Sequence, residues 1–365
     1  MTVAVVGGGA VGLAVGGDLA ARGVDVTLYE RGKLGSGATG RAAGICYDAF
    51  AGPLDAAIAE RALDRYTGWD LLTPCPYVWV ARDADDARAV REQAAEMRAL
   101  GLDVETVEPA ALGERYPSLD TTGLTACAVA RSSGVVDPDA VVKALGKRAR
   151  AAGATLRPET PVSLAGPTTV ETPDGLESVE CVVVAAGPAT EPLVADVGVS
   201  LALGSYRAQA LTTAPVDCAL PSFYDANREF YWRPWGDGLL VGDGAHAVAA
   251  EDCDPEADRS FVRSALERLR GATTLDPAVE RSWAGCCTAT PDRDPLVGPV
   301  TDGLWVATGW QGHGLMRAPA ISEAVADGVC EGTEIDARVA EQFDPTRFDG
   351  DESFHPLGDP TADWE

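Results

Sequence analysis

Lysine is almost missing from this chain. Of 29 cationic side chains only Lys33, Lys143 and Lys147 are lysines, and the rest are arginines. Against them stand 56 aspartates and glutamates, for a formal net charge of −27. A surface of that sign repels phosphates, which excludes a nucleic-acid partner and docking on anionic lipid. No apolar run approaches the ~20 residues needed to cross a bilayer, so no transmembrane segment is expected. No basic region precedes the first strand, so no signal peptide is expected either, and the reading places the protein in the cytoplasm. The nine cysteines form no C-x-x-C pair, which excludes zinc ribbons and thioredoxin-like centres, and no metal is expected. There is no internal repeat. The acid is spread along the whole chain, a pattern that resembles surfaces adapted to high salt, where screening relieves self-repulsion. An ordinary acidic protein is the alternative.

What is present is concentrated at the start. Thr2 to Val6 is a β-branched run that predicts a buried parallel strand. Gly7-Gly8-Gly9-Ala10-Val11-Gly12 matches G-x-G-x-x-G, Val11 to Ala21 reads as a helix, and Val24 to Tyr29 as a second strand ending in Glu30. Gly7 permits the tight turn, Gly9 lets the backbone approach a pyrophosphate, and Gly12 lets helix and strand pack closely. The helix start offers free N–H groups and positive potential to phosphates, and Glu30 can accept hydrogen bonds from a ribose. Strand, glycines, helix, strand and acid in register form a dinucleotide site. A second glycine-rich loop, Leu34 to Gly44, follows directly. A plain NAD domain would enter another helix there. Ser36, Thr39 and Arg41 suit pyrophosphate or ribitol oxygens, which favours FAD.

Further along, residues 55–72, 83–100, 139–152, 258–270 and 314–329 read as helices. Strands are expected at 154–156, 160–164, 206–213, 229–233, 239–242 and 304–308, and Glu180 to Gly187 as the last strand of the nucleotide core. The β-rich stretch 201–245 reads as an antiparallel sheet walling a substrate pocket. Residues 344–365 are polar and acidic and read as a loose tail.

Three segments in order, Val3–Glu30, Val182–Pro188 and Gly285–Met316, resemble the FAD-dependent D-amino-acid oxidase/sarcosine oxidase family, which includes glycine oxidases and proline dehydrogenases. The resemblance implies an α/β fold. A Rossmann-like FAD domain of the glutathione-reductase type (1–79, 134–200 and 284–343) is interleaved with an α+β substrate domain on an antiparallel sheet (80–133 and 201–283). It also implies the cofactor contacts: Gly7, Gly9, Ala10, Val11, Gly12, Glu30, Arg31, Ser36, Thr39, Gly40, Arg41, Ala42, Ala43, Gly44, Val162, Ala186, Gly187, Gly285, Gly309, Gly312, His313, Gly314, Leu315 and Met316. The implied chemistry is oxidation of an amine beside a carboxylate, with hydride passing to flavin N5. The second helix start, at Gly314, suits the negative charge of reduced flavin, and His313 adds a donor or a charge.

The sequence departs from that family at the substrate. Cys287 stands where glycine oxidases carry an anchoring arginine, and Met316 where sarcosine oxidases carry a lysine. Arg207, Arg233 and Arg317 remain as anchors for a carboxylate. Arg233 with Tyr231, two residues apart on one strand face, is the preferred pair. The position that tethers FAD in some relatives falls on Gly285, so non-covalent FAD is expected. With no lysine near the ring, a dehydrogenase passing electrons to a quinone or a partner flavoprotein is favoured over an oxidase. The alternatives are a non-catalytic FAD-binding assembly protein of the same fold and a NAD-dependent enzyme.

Overall fold

Two sheets organise the chain, each with a reason in its sequence. The computed structural model describes residues 1–331, 337–348, 352 and 354. The first sheet has six strands in the order Leu296–Thr301, Leu304–Thr308, Cys181–Val184, Thr2–Val6, Asp25–Tyr29 and Thr155–Arg157. Its central members are Val-rich because both faces are covered. Val3, Ala4 and Val5 are at most 1% exposed, and Val5 pairs in parallel with Leu28 on one side and Val183 on the other. The Cys181–Val184 strand is therefore central rather than last. Leu304–Thr308 lies beyond it, with Leu296–Thr301 antiparallel at the edge. Helix Ala10–Ala21 is apolar except for Asp18, which pairs with Arg65, and is correspondingly sandwiched between this sheet, helix Pro138–Ala151 and helix Gly314–Glu331.

The second sheet has eight strands: Val279–Ala289, Gly204–Thr213, Gly238–Ala247, Phe230–Trp235, Ser222–Asp225, Tyr77–Ala81, Ala126–Ala130 and Val104–Val107. It is antiparallel except where Tyr77–Ala81 runs parallel to Ser222–Asp225. The alternation of side chains decides what each face does. Phe230, Trp232, Leu239 and Val241 point to one face, which helix Arg259–Ala272 covers with Phe261, Ala265 and Leu269. Phe223 stacks on Trp232 there at 3.9 Å between centroids. Tyr231 packs on the other face, toward the nucleotide sheet. Two smaller sheets complete the fold: Ser163–Gly166, Thr169–Thr172 and Gly175–Ser178, and Ile45–Cys46, Gly134–Val135 and Thr73–Pro74.

Several expectations shift. The helix expected at 55–72 runs Pro53–Gly68, started by proline at its first turn. The strand expected at 160–164 begins only at Ser163. The expected domain limits at 79/80 and 283/284 fall inside Tyr77–Ala81 and Val279–Ala289, two strands that the eight-stranded sheet holds by continuous pairing. The tail is anchored where it is described. Arg347 donates to both carboxylate oxygens of Asp292 at 2.7 and 2.8 Å, and Phe348 packs on the nucleotide sheet. The rest of 349–365, apart from 352 and 354, lies outside the described residues. No described helix is long and apolar enough to cross a membrane.

Candidate active site

Between the two sheets runs a cavity of about 530 Å³. One end is built by the first βαβ unit. Gly7 has φ +117°, and a Cβ there would lie 2.3 Å from the Ala185 carbonyl oxygen. Gly12 is tighter still, because its Cβ would lie 2.0 Å from the oxygen of Gly7. Gly12 thus sets helix against strand and does not itself line the cavity. Gly7, Gly9, Ala10 and Val11 do. Helix Ala10–Ala21 has no side-chain cap, so its first-turn donors face the cavity, apart from Ala10 N–H, which Thr39 Oγ1 accepts at 3.0 Å. Glu30 is held open by two backbone donors, Gly8 N at 2.7 Å and Gly32 N at 2.8 Å. Its remaining lone pairs face the cavity.

The loop after Glu30 folds along the same wall. Arg31, Ser36, Thr39, Arg41, Ala42, Ala43 and Gly44 line it. Arg41 turns back on its own loop, its guanidinium donating to the carbonyls of Ser36 and Gly37. Gly40 is used internally, against the Gly35 carbonyl, and does not reach the cavity. Ala186 and Gly187 line the cavity beside Gly7, Gly285 lines it beside Arg41, and Gly312, His313, Gly314, Leu315 and Met316 bring the start of helix Gly314–Glu331 to the far end. Gly309 lies off the lining, with N–H donating to Thr288 Oγ1 at 3.2 Å. Val162 is also off it, because it packs into the apolar cluster under the nucleotide sheet.

The far end is walled by tyrosines that the sequence did not single out, apart from Tyr231. Tyr47, Tyr77, Tyr206 and Tyr231 all face it, with Gln209, Asp243, Cys286 and Cys287. Tyr47 stacks on Tyr77 at 4.7 Å and 11°, and its hydroxyl is 3.2 Å from His313 Nε2. One signal was available. Tyr206, Ala208 and Ala210 line the cavity with the period of two expected of a strand face. Gln209, between them, also borders the cavity while its Oε1 accepts from Asp258 N at 2.7 Å.

The charges settle differently from expectation. Burial and the nearby Arg317 push the His313 pKa down to about 3, so at neutral pH this histidine is an uncharged hydrogen-bonding group. Arg317 is engaged, pairing with Asp55 at 2.7 Å behind the wall and lying over Phe50. Arg207 is engaged with Asp258 and the carbonyls of Asp254 and Glu256. Neither is available as an anchor. Arg233 is different. It is 4% exposed, makes no ion pair among the described residues, and donates only to the carbonyls of Pro234 and Val136. Its Nε has no acceptor, and desolvation lowers its pKa to about 10. It is not itself in the lining. It stands directly behind it, Nη2 being 3.2 Å from where a Cβ on Gly44 would sit.

A long cleft with an uncapped helix start and an acid at one end, and a second helix start at the other, is the site of a dinucleotide-dependent redox enzyme. The comparison with known families agrees: the model of the FAD-dependent oxidoreductase (DAO) family matches residues 2–328, and the chain belongs to that family. It is 28% identical over 352 residues to a glycine oxidase of Geobacillus kaustophilus, covering 89% of this chain and 92% of that protein. It is 26% identical to human mitochondrial dimethylglycine dehydrogenase, of which it spans 44%. The crystal structure of the Geobacillus kaustophilus glycine oxidase superposes with a TM-score of 0.85 at 27% identity, covering 95% of this chain and 99% of that one. An L-proline dehydrogenase from P. horikoshii shares the fold, with a TM-score of 0.88 at 24% identity over 95% and 97% of the two chains. The residues present fit FAD: Gly9 leaves the phosphate cradle open, and the two helix starts face the cleft from opposite ends.

Proposed function

We propose that the protein oxidises the carbon–nitrogen bond of an amino acid or N-alkyl amino acid, with FAD bound non-covalently. The observation that carries the substrate class is Arg233. A buried guanidinium without a counter-ion favours the approach of an anion, and the Gly44–Tyr231 wall is where one can approach. When bound, FAD supplies the hydride acceptor. The chain supplies the rest. Glu30 and the first helix start hold the adenosine-diphosphate half, and residues 312–316 put positive potential at the other end. Tyr231 and His313 contact substrate, the buried positive charge of Arg233 directly behind Gly44 attracts its carboxylate, and the tyrosine wall excludes water. The names of the relatives, glycine oxidase and dimethylglycine dehydrogenase, support the same chemistry and give none to the non-catalytic alternative.

Non-covalent attachment is supported by the thiols. Cys286 and Cys287 are held protonated by burial, at about 12 and about 11, and Cys287 is hydrogen-bonded to Tyr206. A dehydrogenase is favoured because no lysine lines the cavity and His313 is uncharged. Nine free thiols fit a reducing compartment, which keeps the cytoplasm as the proposed location.

The test is anaerobic flavin bleaching with D- and L-amino acids, N-methyl amino acids and proline. The flavin reduced by a competent substrate should then reoxidise faster with a dye than with oxygen. Arg233→Gln should raise KM for that substrate by about tenfold, equivalent to ~1.4 kcal/mol for the lost buried charge, with a smaller change in kcat. An unchanged KM would remove Arg233 as the anchor.

A further inference from the structure

The cavity rim carries a pair of thiols that the proposed chemistry does not use. Cys253 lies in the segment 250–258, which packs against the edge strand Val279–Ala289 and contributes Ala250, Cys253 and Pro255 to the cavity lining. This strap has little secondary structure of its own beyond the short turn Ala250–Asp252. The eight-stranded sheet holds it through specific contacts. Arg207 donates to the Asp254 carbonyl at 2.9 Å and to Asp258 Oδ2 at 2.9 Å. The Asp258 N–H donates to Gln209 Oε1 at 2.7 Å, and the Ala284 N–H to the Pro255 carbonyl at 2.8 Å.

The register explains which thiol meets the strap. Arg207 pairs with Cys286 across the ladder and Tyr206 with Cys287. Side chains opposite one another share a face, and neighbours alternate. Cys286 therefore faces the strap with Arg207, and the Ala284–Pro255 hydrogen bond, two residues from each thiol, brings Cys253 beside it. Cys287 faces the other way, to Tyr206. The two contacting thiols come from different elements, a rim strap and a strand of the rigid sheet. Bonding them would therefore fix the strap to this wall of the cavity.

We infer that Cys253 and Cys286 form a reversible redox pair, whose disulfide locks the 250–258 strap to this wall of the cavity and slows substrate entry. The oxidant is a low-molecular-weight disulfide, RSSR. The Cys253 thiol loses its proton and attacks one sulfur of RSSR, giving a mixed disulfide and one RSH. The Cys286 thiol then loses its proton and attacks Cys253 Sγ, expelling the second RSH. Two protein thiols and RSSR thus give one protein disulfide and two RSH. Reduction by a dithiol reverses it. Burial keeps Cys286 protonated, so the second step is the slow one.

The effect on turnover rests on the proposed function, whereas the bond itself does not. The flavin-loaded protein is treated with 2-hydroxyethyl disulfide, free thiols are alkylated, and an unreduced digest is read by mass spectrometry. The expected product joins the Cys253 and Cys286 peptides and disappears with dithiothreitol. The rate of flavin bleaching by a competent substrate should fall several-fold in the oxidised protein and recover on reduction. In Cys253→Ser and Cys286→Ser the oxidised-to-reduced rate ratio should stay at one, whatever their basal rates. Stable mixed disulfides only, or a Cys253–Cys287 bond, would overturn the pairing. A correct bond with an unchanged rate would overturn the gating. If no substrate bleaches the flavin, the proposed function fails while the cross-link is still read.

Discussion

Gly9 and Gly12 look alike in the fingerprint and do different work. A side chain at Gly12 would meet the Gly7 carbonyl at 2.0 Å, whereas at Gly9, whose φ is −77°, the nearest atom is Thr39 Oγ1 at 3.1 Å. Gly12→Ala should therefore destabilise the fold by about 3 kcal/mol or more, because backbone must move to admit the methyl. Gly9→Val should leave the fold intact and cost the cofactor, since the side chain occupies the phosphate position. Thermal unfolding and the flavin-to-protein absorbance ratio separate the two. A Gly9→Val protein that purifies fully yellow would remove the phosphate assignment. At this scale the glycines were legible because their constraint is local. The three arginines were not. The strand spacing favoured Arg233 with Tyr231, but only the fold shows that Asp258 and Asp55 have taken Arg207 and Arg317.

Periodicity carries the elements as far as it is present. The helix expected at 139–152 is Pro138–Ala151, whose start is fixed by Asp137 accepting from Ala140 N at 2.7 Å. Strand Tyr77–Ala81 was not legible, because Tyr-Val-Trp-Val-Ala is buried on both faces and shows no alternation. Its parallel partner Ser222–Asp225 is distant in the chain, so no local turn announces it. The start of helix Gly314–Glu331 was recognised, but the state of His313 was not, since burial and Arg317 set it. That state has a consequence in acid. The folded pKa of about 3 lies below the unfolded value of 6.5, so between them the unfolded chain binds the extra proton. Stability contributed here is complete above pH 6.5 and is lost as pH falls toward 3. His313→Asn should flatten part of the stability loss between pH 6 and 4, measured by urea unfolding at fixed flavin saturation. A slope unchanged by the substitution would mean that His313 is charged in the fold.

For the whole molecule, the architecture places a cleft between a nucleotide sheet and a substrate sheet, and that much follows from the fingerprint and the β-rich middle. The surface follows from composition alone. With 56 acidic against 29 cationic residues, charge repulsion acts throughout the folded state and relaxes on unfolding. Salt has two opposite effects on it. Screening weakens exposed ion pairs such as Arg131–Asp103 and Arg270–Asp276, each worth about 0–1 kcal/mol. It also shortens the reach of repulsion among the 27 excess negative charges, from ~10 Å at 0.1 M to ~3 Å at 1 M. Each exposed pair is individually weak, and the repulsion is spread over the whole surface, so the second effect should dominate. We propose on this ground that the protein is adapted to high salt, and expect its melting temperature to rise by several degrees between low and molar potassium chloride. The comparison is made with FAD saturating at every salt concentration, so that tighter or weaker cofactor binding does not enter the shift. A melting temperature that stays flat or falls would show that local ion pairs outweigh the net charge, and would leave an ordinary acidic protein.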